Sequence, residues 1–228
     1  MPPRLGPCAG TQIRRWLSLA TNKGVVQSFR NKEKTMSLEL ELQKFPKKVN
    51  LKGGLSCELR PLQRNDETKL HTFFQTLPEK ERMFIKHRVN DKEVIHDWCQ
   101  NIDYAKNLPI LGFADGKIIA DATLHQQQGG WKRHIGRVSV LVLPEYRGRG
   151  LARALVREIV EVSRNIGLEH VEAEFMGEQE AAVKMFALIG FSNLLTIEDY
   201  VKDMQAIKHD YVLMGLQLRT DEEYAGMG

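Results

Sequence analysis

The sequence contains no apolar run approaching the ~20 residues that a membrane-spanning helix needs, so a spanning protein is excluded. Its three cysteines, Cys8, Cys57 and Cys99, are odd in number and widely spaced. There is no CxxC and no Cys/His pairing at zinc-ligand spacing, so reduced thiols in a reducing compartment are expected, and no metal site. Acids are nearly missing from the first 36 positions, where Glu33 alone faces Arg4, Arg14, Arg15, Lys23, Arg30, Lys32 and Lys34. The whole chain carries +4, so that segment holds the entire excess and the remainder is slightly acidic. A folded body gripping nucleic-acid backbone is therefore not indicated, because phosphate binding needs clustered cations on the folded surface. Two phosphate-binding motifs are also absent: neither G-x-G-x-x-G nor G-x-x-x-x-G-K-[ST] occurs.

What is present suits one well-buried domain: 228 residues, 42% hydrophobic and 27% charged. Residues 1–36 read as a basic, flexible leader. Their composition fits an organelle transit segment, with Ile13, Trp16, Leu17 and Ala20 as an apolar face, but a solvated extension or an upstream start before Met36 is favoured. Cytoplasmic residence follows, or an organelle matrix if the leader is a transit segment. Residues 37–54 read as a lead-in strand and hairpin turning at Gly53-Gly54, 55–220 as the main domain and 221–228 as a tail. Asp66 is placed to cap a helix through Leu70, Phe73, Phe74 and Leu77, stopped by Pro78. Further helices are expected over 79–88 and from Asp91 through Trp98, and strands over 110–113 and 117–125 around Asp115-Gly116. Phe73, Phe74, Trp98 and Trp131 read mainly as core.

The informative stretch begins at His134. Through Leu143 it is β-branched and apolar on both faces, as a central buried strand should be. It runs into Pro144-Glu145-Tyr146-Arg147-Gly148-Arg149-Gly150-Leu151-Ala152 and then a helix with Leu151, Leu155, Ile159, Val162 and Ile166 on one face. A glycine-bearing turn between a buried strand and a helix start is suited to anions: first-turn amides lack helical partners, the dipole is positive there, and glycines admit a phosphate. A strand over 170–176, a helix over 180–189 closed by Gly190, and late strands over 191–197 and 211–218 follow.

Arg147-x-x-Gly150-x-Ala152 after Val-x-Pro resembles the pyrophosphate-binding motif of the GNAT superfamily of CoA-dependent N-acyltransferases. Phe186-Ala-Leu-Ile-Gly190-Phe191 is similar to its Tyr-x-x-x-Gly-Phe signature. The likeness covers about residues 47–219 and is nearest in style to the GNAT domains of bacterial protein lysine acetyltransferases, with Arg60-Pro61 before the first helix. It implies an α/β (α+β) GNAT fold: a mixed, mostly antiparallel sheet with splayed central strands, flanked by helices.

The resemblance further implies transfer of an acetyl group from acetyl-CoA, the co-substrate, to a primary amine by direct attack in a ternary complex. The acceptor would be a protein lysine, a protein N-terminus or a small molecule, with no nucleic acid, no membrane and no metal; an oligomer is compatible. The cofactor-binding set it implies is Arg147, Gly148, Arg149, Gly150, Leu151 and Ala152 in the turn, the backbone of Val140 and Val142, and Gln179 and Phe186 beyond. Glu174, whose alternation shares a face with Glu172, falls where relatives place a catalytic glutamate. His134 is a second catalytic candidate, with His125 at the end of the neighbouring strand. Two departures stand out: Phe186 occupies the slot of a general-acid tyrosine, for which Tyr146, Tyr200 and Tyr211 are substitutes, and Arg137 stands in a strand with no carboxylate from Trp131 to Leu143. They support an alternative, a catalytically weak or degenerate module that binds acetyl-CoA for sensing or regulation.

Overall fold

The structure, a computed structural model, describes residues 37–82, 85, 89–203 and 205–218. The leader expected over 1–36 and the tail expected over 221–228 lie outside them. The strands are β1 (Lys47–Asn50), β2 (Ser56–Pro61), β3 (Asn107–Ala114), β4 (Lys117–Gln126), β5 (Ile135–Val142), β6 (His170–Met176), β7 (Ser192–Lys202) and β8 (Lys208–Gln217). They form one sheet in the order β1-β2-β3-β4-β5-β6-β8-β7. Every pairing is antiparallel except β5 with β6. The helices are α1 (37–42), α2 (Glu67–Thr76), α3 (Glu79–Arg82), α4 (Lys92–Gln100), α5 (Leu151–Asn165) and α6 (Glu180–Ala187). Among the described residues no helix is long and apolar enough to cross a membrane.

The two faces of the sheet carry separate cores. The stripe Leu151, Leu155, Ile159, Val162 and Ile166 of α5 recurs at three- and four-residue spacing and is buried against Ala120, Ala122, Leu124, Val138 and Val171. On the other face Leu70, Phe73 and Phe74 of α2 and Ile95 and Cys99 of α4 close over Leu111, Phe113 and Ile118. Each such side chain contributes about 1.5–3 kcal/mol by burial, so both faces hold β3 and β4 firmly. Gly136 shows how tight the packing is: a Cβ there would lie 2.7 Å from Leu124 Cδ1 and 2.8 Å from Leu168 Cδ1. Cys57 and Cys99 are free and buried, and burial pushes both thiols up to about 11.

Several expectations needed correction. Residues 37–42 are helical, not a strand, with Leu38 buried in the α5-side core. Of the helix expected over 79–88, Glu79–Arg82 is helical, and most of the remainder lies outside the described residues. Both late strands are longer than alternation suggested, because their outer halves pair with each other beyond the core. Trp131 is 87% exposed, whereas Trp98 packs edge-on against Phe74 at 6.0 Å. Asp66 occupies the residue before α2, but its carboxylate does not cap that helix. It takes both arms of the Arg60 fork at 2.7 Å and the Gln63 amide at 2.9 Å. Burial alone would raise the Asp66 carboxyl; the Arg60 hydrogen bonds and the Gln63 amide hold it below its ordinary value.

A second buried acid was not foreseen. Asp121 on β4 lies on the α2/α4 face, opposite Leu141 and beside Leu111. Thr123 Oγ1 donates to it at 3.1 Å, and burial pushes its carboxyl up to about 7. The folded protein therefore binds this proton more tightly than the unfolded chain, so stability is full below the unfolded value and falls as pH rises towards about 7. Asp121→Asn, which keeps the shape without the charge, should gain thermal stability over the native chain as pH rises from about 5 to about 8. A gain of 1 kcal/mol reads as about 2–4 °C in Tm for a domain of this size.

Candidate active site

The site grows out of an interrupted ladder. β5 and β6 pair at Ile135–His170, Gly136–Val171 and Arg137–Glu172. Beyond that β5 continues only with β4 to Val142, and β6 only with β8 to Met176. The two strands thus part, leaving a wedge whose apex is the Arg137–Glu172 pair. The amide of Leu143 donates to Ile119 O at 3.0 Å. By alternation the backbone groups of Leu141 and Ser139 face β4, and those of Val138, Val140 and Val142 face the wedge. A backbone row turned into an opening offers donors and acceptors to an extended amide-bearing ligand.

At the wide end β5 passes through a single 3-10 turn, Pro144–Tyr146, into the start of α5. Gly148 has φ 73° and Gly150 φ 91°, both in the left-handed region, and no atom lies within 4 Å of where a Cβ would be on either. Gly150 precedes α5 without any side-chain cap, so the amides of Leu151, Ala152 and Arg153 head an uncapped fifteen-residue helix. Positive-φ glycines with open space above them, beside free amides at a positive dipole end, make a cradle that a diphosphate fits.

The charges around the turn are partly engaged. Arg147 donates from Nε to Val142 O at 2.9 Å and from Nη1 to Glu81 Oε1 at 2.9 Å, and its Nη2 also bonds Glu81. The short α3 is thereby clasped to the turn. The carbonyl of Arg149 accepts from the Lys52 amide at 3.2 Å, which brings the β1–β2 hairpin to the same place.

At the apex, Glu172 and Glu174 share the α2/α4 face of β6 while Val171, Ala173 and Phe175 are buried on the other, as alternation predicted. Arg137 Nη1 lies 3.5 Å from both Glu174 oxygens, and Lys132 Nζ lies 3.6 Å from Glu172. The Arg137 that looked like a missing carboxylate is therefore the partner of the next strand's carboxylate. Tyr211 on β8 hydrogen-bonds Glu174; burial first, then the charge and hydrogen bond of Glu174, push its phenol up to about 12. It stays a protonated donor throughout the physiological range.

Other expected residues lie elsewhere. His134 sits before β5, on the paired side of the apex; its carbonyl accepts from Glu169 and its ring is 6.1 Å from that of His170. The Gln179 side chain accepts from the Met176 amide at 2.9 Å, closing the loop into α6. Phe186 exposes no surface: its ring is packed edge-on between Phe175 and Phe191, each at 4.9 Å. It fills the core where a tyrosine hydroxyl would need a polar partner.

A sequence model of the Acetyltransferase (GNAT) family matches residues 70–191, from α2 to the end of the α6 turn. The chain belongs to this family. Within GNAT proteins, it is 27% identical over 98 residues to the L-amino acid N-acetyltransferase AaaT of Escherichia coli (strain K12), a match spanning 42% of this chain and 60% of that one. Among solved structures, the GNAT domain of S. lividans PAT superposes with a TM-score of 0.64 at 20% identity, covering 75% of this chain and 96% of that one. The yncA protein from Salmonella typhimurium, solved with its cofactor acetyl-CoA, gives 0.62 at 17% identity over 75% and 96%. Ribosomal-protein-alanine N-acetyltransferase from Brucella melitensis gives 0.62 at 19% identity over 70% and 98%. At these identities the structural likeness is one of fold. The family is one of acetyltransferases, and one of these structural neighbours holds acetyl-CoA.

Proposed function

We propose that the chain transfers an acetyl group from acetyl-CoA to a primary amine, on a protein or a small molecule, by direct attack with both substrates bound. The observation that carries this reading is the wedge itself: β5 leaves β6 beyond Arg137–Glu172 and runs straight into an uncapped helix start carrying two positive-φ glycines. In this reading the amides of residues 148–152 hold the CoA diphosphate, with Arg147 and Arg149 supplying charge, and Glu81 yields part of its hold on Arg147 to the ligand. The wedge-facing backbone of Val140 and Val142 bonds the pantetheine, so the thioester lies towards the apex. Glu174 accepts a proton from the nitrogen as the C–N bond forms. Tyr211, hydrogen-bonded to it, donates towards the departing sulfur in place of the tyrosine that Phe186 does not supply. His134, on the paired side of the apex, takes no part.

The likeness to an L-amino acid acetyltransferase makes free amino acids an acceptor class to include. A second reading, binding of acetyl-CoA without transfer, is favoured by the Arg137–Glu174 contact, because the guanidinium occupies the carboxylate that an incoming amine would have to reach. Thiol release from acetyl-CoA, followed across L-amino acids, lysine peptides, peptide N-termini and polyamines with the product mass recorded, separates the two. The transfer reading expects thiol release matched by acetylated acceptor; acetyl-CoA binding with no product from any amine supports the binding module.

A further inference from the structure

Three neighbouring strands each contribute one polar side chain to the α2/α4 face just outside the apex. Asn107 on β3 is the cross-strand partner of His125 on β4, and Ser139 lies diagonally from His125 on β5. His125 Nδ1 is 2.8 Å from Asn107 Oδ1, and His125 Nε2 is 3.2 Å from Ser139 Oγ. In the tautomer that suits Asn107 Oδ1 as acceptor, Nδ1 carries the hydrogen and Nε2 presents its lone pair to the serine hydroxyl. This is the arrangement of a base oriented from behind and in contact with a hydroxyl in front. Ser139 is exposed and stands two residues past the last β5–β6 pair, about 7 Å along the strand. The charged group beside His125 on the same row is Arg137, itself engaged with Glu174.

Proton bookkeeping gives the trio a task. An alkyl amine arrives as an ammonium ion and leaves as an amide, so its nitrogen loses two protons. One of them is balanced by CoA leaving as a thiol; the other must go to solvent before attack, because an ammonium has no lone pair. Glu174 and Tyr211 serve the first. We propose that His125 serves the second: the Ser139 hydroxyl accepts a proton from the incoming ammonium as it gives its own to His125 Nε2. The imidazolium then releases that proton to water, and Asn107 keeps the ring in the productive tautomer. No bond to carbon forms in this step, and Ser139 ends as it began. The inference rests on the transfer reading above and assigns His125 and Ser139 as catalytic residues and Asn107 as a positioning residue.

The test compares two acceptors of similar shape on the full chain: benzylamine, cationic at neutral pH, and O-benzylhydroxylamine, which is neutral there and needs no prior deprotonation. His125→Gln should lower kcat/KM for benzylamine by about 10²-fold or more, and by at least tenfold less for O-benzylhydroxylamine. Ser139→Ala should show the same bias, and added imidazole should restore benzylamine turnover in His125→Ala. Equal losses on both acceptors, or none on either, would overturn the proposal. Should the variants fail to fold, the tautomer is read on the native chain by nitrogen NMR: hydrogen on Nδ1 supports the assignment and hydrogen on Nε2 contradicts it. Acetyl-CoA binding with no product from benzylamine, O-benzylhydroxylamine or any amine of the panel above would overturn the transfer reading and, with it, this proposal.

Discussion

Glu174→Gln is expected to lower kcat for acetyl transfer by about 10²–10⁴-fold, the range of general acid–base catalysis, with the Kd for acetyl-CoA unchanged within about twofold. The substitution keeps the size of the side chain and removes its capacity to take a proton. The affinity should hold because Glu174 lies on β6 at the apex end, whereas the anion cradle is at the head of α5 on the other side of the wedge. Tyr211 refines the expectation. Its hydrogen bond to Glu174 makes the two a coupled pair, so Tyr211→Phe should lower kcat less than Glu174→Gln, and the double variant should be no worse than Glu174→Gln alone. Unchanged turnover in Glu174→Gln would remove the carboxylate from the chemistry while leaving the acetyl-CoA site intact.

Gly150→Val is expected to weaken acetyl-CoA binding by about 100-fold or more, near 3 kcal/mol, as measured by calorimetry. Two effects combine. At φ 91° a β-branched residue is strained, so the head of α5 must shift or carry a cost of about 1–3 kcal/mol. The new side chain also enters the open space above the turn, which the diphosphate would occupy. Gly130 provides the control: its φ of 78° and open surroundings are similar, but it lies in the loop between β4 and β5, at the paired end of the wedge. Gly130→Val should cost stability without a comparable loss of affinity. Equal losses in both variants would show that the Gly150 effect is general destabilisation.

Legibility in the sequence followed the range of the forces involved. Elements governed by local periodicity were readable almost to the residue: β6 is the expected 170–176, and the stripe of α5 is the one its spacing gave. The Gly148–Gly150 turn was readable because backbone conformation demands glycine whatever surrounds it. The proton-handling groups were not, because they meet through strand register. Arg137 and Glu174 lie 37 positions apart and meet only because β5 and β6 are parallel neighbours. Asn107, His125 and Ser139 come from three strands whose alignment no local pattern specifies. Asp121 did leave a trace, as a lone acid within the apolar run of β4. Phe186 matched a family slot by position, yet Phe175 and Phe191 enclose it completely.

A crystal structure of the full chain with acetyl-CoA shows where the thioester lies. The diphosphate is expected against the amides of residues 148–152, the pantetheine along Val138–Val142 inside the wedge, and the thioester near the Arg137–Glu172 apex with Glu174 on its acceptor side. Acetyl-CoA bound away from the wedge, or with its thioester turned from the α2/α4 face, would contradict the proposed transfer at Glu174.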